Sequence, residues 1–118
     1  MKEIIFYKTI SGRCPVEEFL ESLKPKAAQK VTWVLRVIEE LPVIPKCYFK
    51  KLVNTDDIWE VRIVYENNIF RILSFLDGSK LVVLTHAFQK KTQKTPKQAI
   101  KIAESRKRDY FKRRDKNE

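Results

Sequence analysis

The chain has 118 residues, 43% of them hydrophobic, which suits one domain spanning 1–118 with its own core and argues against disorder throughout. Twenty-five Lys and Arg against fifteen Asp and Glu give a net charge of +10, and the pI is near 9.7. Such a surplus favours nucleic acid as a partner over an acidic protein or a merely solvated basic surface, because the basic residues cluster.

Residues 3–8, EIIFYK, are β-branched and aromatic with no breaker, and predict a first strand that ends at Ser11-Gly12. Pro15 suits the first position of a helix, and Glu17 and Glu18 suit its first turn. Val16, Phe19, Leu20 and Leu23 then recur at helical spacing. Pro25 ends that helix and begins a second, running to about Leu41, with Ala27, Ala28, Val31, Val34, Leu35, Ile38 and Leu41 on one stripe. Trp33 and Val37 lie off the stripe; they either broaden the core contact, the safer reading, or offer a partner surface. Residues 46–53, KCYFKKLV, fit a loop or a short edge strand, made basic by Lys46, Lys50 and Lys51.

Three strands follow. Trp59, Val61, Ile63 and Tyr65 alternate with Glu60, Arg62 and Val64, the pattern of a half-buried strand. Asn67-Asn68 and Asp77-Gly78 are turn signals that bound a second strand, and 81–87 forms a third. A turn of two residues at Asn67-Asn68 sets Glu66 opposite Ile69 and Arg62 opposite Leu73. Arg62 and Arg71 then share a face with Glu60, while Trp59, Val61, Ile63, Tyr65, Phe70 and Ile72 face the helices. An equally short turn at Asp77-Gly78 sets Ile69 opposite His86 and brings that imidazole to the arginine face. A turn of three residues there would flip the third strand and remove His86 from it. After a basic loop, Thr95 as N-cap, Pro96 at the first position and Gln98 three on predict a last helix over about 96–113, thinly apolar and packed weakly at one edge.

Cys14 and Cys47 are distant in sequence, and His86 is the only histidine. No zinc site of the usual ligand count follows; two reduced thiols in the cytosol do. The start MKEIIFYK lacks the apolar run of a signal peptide, and no stretch approaches a membrane helix in length. A cytoplasmic protein with no membrane partner is the expectation.

Two arginines, a histidine and the loop lysines Lys90, Lys91 and Lys94 on one open face suggest phosphate chemistry. RNA brings its own nucleophile, the 2′-OH. A ribonuclease without metal or cofactor then needs a base for that hydroxyl, cations for the pentavalent phosphate and an acid for the leaving oxygen. Glu60 or His86 could move the proton. The plainer readings are a solvated Glu60–Arg62 pair, a structural histidine and a solvated lysine loop.

The Trp-Glu-Val-Arg strand, the Arg-Ile-Leu strand, HAFQKKTQKTP and the helix ending AESRKRDYFKR resemble the phage-derived HigB-like group of the RelE/ParE toxin superfamily. The most specific segment is Phe88 to Pro96. The resemblance implies an α+β fold, with two N-terminal helices packed on a twisted, mainly antiparallel sheet and a C-terminal helix. It implies the toxin of a type II toxin–antitoxin pair, with a helix-turn-helix antitoxin as partner. Many members cut mRNA in the ribosomal A site by 2′-OH attack without metal; others poison DNA gyrase. By the same resemblance Arg62 and Arg71 hold the scissile phosphate. His86 and Phe88 fall where such toxins carry a catalytic or base-stacking residue. Lys90 and Lys91 match a basic pair, and Lys50 and Lys51 fall where relatives carry catalytic lysines. Three functions follow for test: a ribosome-dependent mRNA endonuclease, a non-enzymatic gyrase inhibitor, and a phage nucleic-acid-binding protein without catalysis.

Overall fold

A computed structural model describes residues 1–89 and 94–116. Lys90 and Lys91 lie outside the described residues. The elements are β1 (Glu3–Phe6), α1 (Pro15–Glu21), α2 (Pro25–Glu40), β2 (Phe49–Lys51), β3 (Trp59–Tyr65), β4 (Asn68–Asp77), β5 (Leu81–Gln89) and α3 (Lys97–Lys116).

The prolines set the helix boundaries. Cys14, Lys24 and Leu41, each just before a proline, are held in extended backbone, so α1 and α2 start and α2 stops there. β1 is shorter than the predicted 3–8, and residues 46–53 resolve into the edge strand β2. The sheet order is β1-β5-β4-β3-β2. β1 runs parallel to β5, and the other pairs are antiparallel. Among the described residues no helix is long and apolar enough to cross a membrane.

Both faces of this sheet carry helices, which corrects the expectation of one open face. On one face Val16 of α1 and Val31, Val34, Leu35 and Ile38 of α2 pack on Val61, Ile63, Phe70, Ile72, Val82 and Leu84. On the other, Ala99 and Ala103 of α3 pack on Leu73, Phe75 and Val83, with Tyr110 and Phe111 against the Phe75 ring. This explains the unbroken buried run from Ile72 to Phe75, a pattern of strands covered on both sides. α3 is therefore no weakly packed edge helix: two small residues let it lie close to the sheet. It covers only part of that face, and the remainder carries the arginines. Trp33 stands on the outside of α2, 48% exposed, edge-on to Tyr48 and with the Lys30 ammonium over its ring. The safer core reading of Trp33 does not hold.

Two turns differ from the sequence reading. The β3–β4 loop is Glu66-Asn67, so Tyr65 faces Asn68 and Arg62 faces Arg71. Asn68 belongs to the sheet, where its side-chain oxygen accepts a hydrogen bond from Gln89 Nε2 at 2.8 Å. The register moves by two, so the faces are kept. The β4–β5 loop, in contrast, has three residues, Gly78 to Lys80, because Asp77 pairs with Leu81. Gly78 takes a φ of +72°, a conformation glycine adopts without steric cost. By alternation alone this loop would turn His86 to the face covered by α1 and α2. A bulge cancels it: Ser74 pairs with Leu84 and Leu73 with His86, leaving Thr85 as an extra residue. His86 and Phe88 return to the arginine face.

Candidate functional site

The strand pairings arrange the polar face as a grid. Lys50, Glu60, Leu73 and His86 form one row across β2, β3, β4 and β5. Arg62, Arg71 and Phe88 form the next. Adjacent strands are about 4.8 Å apart, so each row spans on the order of 10–15 Å, the reach of two to three nucleotides.

At the β2 end of the grid lies a cleft of about 290 Å³, lined by Lys46, Cys47, Lys50, Glu60, Arg62 and Arg71. Four cations against one carboxylate leave it a formal charge of +3. Arg62 and Arg71 oppose each other directly, an arrangement that costs energy for like charges. Their Nε atoms are both buried and without a hydrogen-bond partner among the described residues. Arg71 is relieved by Glu60, whose Oε1 pairs with its Nη1. No ion pair with a described carboxylate relieves Arg62. An anion with oxygens to spare would satisfy both guanidinium groups, and a phosphodiester is such an anion.

Glu60 is only 4% exposed, and both of its oxygens are engaged. Oε1 holds Arg71, and Oε2 accepts a hydrogen bond from Thr95 Oγ1 at 2.6 Å. Both carboxylate oxygens are therefore directed at groups of the protein itself. Thr95 was expected as the N-cap of α3; its hydroxyl is spent on Glu60, and the helix starts at Lys97 with Ile100 N–H donating to the Pro96 carbonyl at 3.2 Å. Local capping chemistry loses here to a charge-assisted bond across 35 residues.

His86 is half-buried, its ring stacked on Phe88 at 5.6 Å between centroids with 28° between planes. Burial first, and the Arg106 guanidinium second, push its pKa below the usual 6.5. The imidazole is thus mainly neutral at neutral pH. Phe88 beside Arg71 leaves an aromatic face next to a cation, the pair of groups that holds an unstacked base and its phosphate.

The structure brings Glu60, Arg62, Arg71, His86, Phe88 and Lys50 to one face. It does not bring Lys51 there: Lys51 pairs with Trp59, points to the other side and binds Asp57 at 2.7 Å. Lys94 is exposed at the end of the loop that enters α3. Sequence reasoning missed Cys47 and Lys46 as cleft residues, Thr95 as the partner of Glu60, and Arg106 beside His86. Lys46 had a signal in its basic segment; the others join the site through contacts that no local pattern announces.

A family model described as phage derived protein Gp49-like (DUF891) matches residues 18–108, which include every strand and residue of the grid. No curated protein matches the chain.

Proposed function

The chain belongs to the phage-derived Gp49-like family, a family of RelE/HigB-like toxins, and on that footing we propose that it is the toxin of a type II toxin–antitoxin pair that cuts ribosome-bound mRNA without a metal. The observation that carries the reading is the directly opposed Arg62–Arg71 pair, which lines a cleft of charge +3. A surface made only to bind a protein gains nothing from that cost. A site for a pentavalent phosphate does, because the charge that relieves the arginines grows as the transition state forms.

In this reading the neutral His86 imidazole takes the proton of the 2′-OH. The 2′-oxygen attacks phosphorus, the P–O5′ bond breaks, and a 2′,3′-cyclic phosphate and a 5′-hydroxyl result. Arg62 and Arg71 hold the non-bridging oxygens. Lys50 protonates the departing O5′, since an ammonium, unlike a guanidinium, can give up its proton. Phe88 stacks on a base, and Glu60 acts as a positioning residue for Arg71. Lys90, Lys91 and Lys94 add charge along the RNA path, and the exposed Lys97, Lys101, Arg108 and Lys112 of α3 extend it. A helix-turn-helix antitoxin silences the toxin by covering this cationic face.

The test is tightly controlled expression in a host, with transcriptome-wide mapping of mRNA 5′ ends. Cuts at codon boundaries of translated messages, lost in Arg62→Ala, support the proposal. Intact messages together with DNA-damage signalling would identify a gyrase poison instead, and growth without either effect would leave a binding protein.

A further inference from the structure

We propose that Arg106 is a positioning residue for His86: by holding the carbonyl of Thr85 it keeps the bulge that turns the imidazole onto the cationic face. The link from this geometry to activity rests on the proton-transfer role of His86 given above; the geometry itself does not.

Asp77 pairs with Leu81, and Val82 and Leu84 belong to the core under α1 and α2. Counting by twos from Leu84 puts residues 86 and 88 on that same side. They lie on the other side because Thr85 is an added residue. The chemistry of the site face thus depends on one irregularity in β5. A bulge leaves backbone groups outside the ladder, and this one is buried, with Thr85 wholly inaccessible. Its pairing with β1 has also run out: the last parallel bond is Tyr7 N–H to the Leu84 carbonyl at 2.9 Å.

Two side chains meet the need. Thr85 Oγ1 donates to the Leu73 carbonyl at 3.1 Å, which closes the bulge on the β4 side. Arg106 Nη1 donates to the Thr85 carbonyl at 2.7 Å. Arg106 comes from α3, 21 residues on, so the helix that covers the rest of this face also secures the bulge. The Arg106 guanidinium lies 6.0 Å from the Tyr7 ring centroid, just past β1, and feels the charges of Arg13 and Glu18. The same guanidinium adds to the depression of the His86 pKa, so geometry and charge act on one ring.

Because His86 is the only histidine, its two carbon-bound ring protons, Hδ2 and Hε1, are assigned without ambiguity by NMR. The test compares Arg106→Met and Arg106→Lys with wild type by proton NMR through a pH titration. Tyr110→Phe serves as a control that loosens α3 without touching Thr85. If Arg106 only lends charge, Arg106→Met raises the His86 titration midpoint and keeps the imidazole beside its cross-strand partner Leu73. If it positions, the bulge is lost and the imidazole turns, together with Phe88, into the core beside Leu84. The ring contact with Leu73 is then replaced by one with Leu84, and deeper burial lowers the midpoint further. Arg106→Lys, which keeps a cationic donor, retains both wild-type signatures, and so does Tyr110→Phe. A folded Arg106→Met with its Leu73 contact intact overturns the proposal. Should that variant not fold, Arg106→Gln, which removes the charge and shortens the donor, is read in the same way. If the signals move as stated while His86→Gln still cuts RNA at the wild-type rate, the positioning stands and the assigned proton transfer falls.

Discussion

Arg62 and Arg71 face each other across β3 and β4, yet among the described residues only Arg71 is paired with a carboxylate. The two should therefore separate activity from stability. Arg62→Ala removes a like-charge repulsion and leaves no buried acid behind, so urea unfolding should show stability equal to or above wild type. Cleavage should fall by about 100-fold or more, the loss seen when one transition-state donor is removed. Arg71→Ala loses activity too, but it strands Glu60, buried at 4% exposure, with Thr95 alone. Breaking such a pair costs about 3–5 kcal/mol. Adding Glu60→Gln to Arg71→Ala should recover much of that stability and none of the activity. Equal destabilisation by the two single variants would contradict this division of roles.

His86 should set the acid limb of the pH profile. With its pKa held below 6.5 by burial and by Arg106, it is a competent base at neutral pH, and cleavage should fall only as pH drops through that lowered value. His86→Gln should cost about 100- to 10,000-fold in rate and abolish the limb. Stability follows the same group. Between its folded pKa and 6.5 the unfolded chain binds the extra proton, so the stabilising contribution is complete above 6.5 and is lost as pH falls through the folded value. Denaturant midpoints across this window, wild type against His86→Gln, measure that term; parallel curves would remove it.

The helices were legible because prolines mark their ends and apolar residues recur at 3.6-residue spacing. The arginine face was legible because alternation survives any even shift of register, including the one made by Glu66-Asn67. His86 reached that face by another route. The loop of three residues flips β5, and Thr85 flips it back. Two one-residue slips cancel, and neither has a local signature: Thr85 is a β-branched residue like any other in a strand. Lys50 and Lys51 could not be told apart until β2 was known to be a strand, since adjacent strand residues face opposite sides. The Thr95 and Arg106 bonds join residues 35 and 21 positions apart, beyond the range of any sequence pattern. For Trp33 the core reading fails because the residue lies off the helical stripe, and the structure follows the stripe rather than the bulk of the indole.

Asp77 anchors α3 twice, accepting from Tyr110 Oη at 2.7 Å and pairing with Arg114. Burial and this bond raise the Tyr110 pKa to about 12. Below about 10 both states hold the phenolic proton; between about 10 and about 12 the unfolded chain loses it first. Stability should therefore fall across that window as pH rises. Tyr110→Phe should lose about 1.5–3 kcal/mol at neutral pH, the range for a hydrogen bond to a charged group. It should also flatten the alkaline fall. Absorbance at the phenolate band against pH gives the titration directly, and a normal midpoint for every tyrosine would refute the assignment.

Lys50 and Lys51 provide the last contrast, since one residue of register divides them. Lys50 faces Glu60 and lines the cleft, while Lys51 is turned away and paired with the exposed Asp57. Lys50→Ala should weaken RNA binding and, by removing the proton donor for O5′, lower the single-turnover rate by about 100-fold. A substrate whose leaving oxygen is replaced by sulfur needs no such proton and should restore most of that rate. Lys51→Ala breaks only a solvated pair and should leave cleavage and folding near wild type. The salt dependence of RNA binding gives a second reading: the slope of log K against log salt should drop by about 0.7 for Lys50→Ala, as for one lost phosphate contact on a single strand. It should not change for Lys51→Ala. If the two variants behaved alike in both measurements, the grid of residues on this face would be wrong at its β2 end.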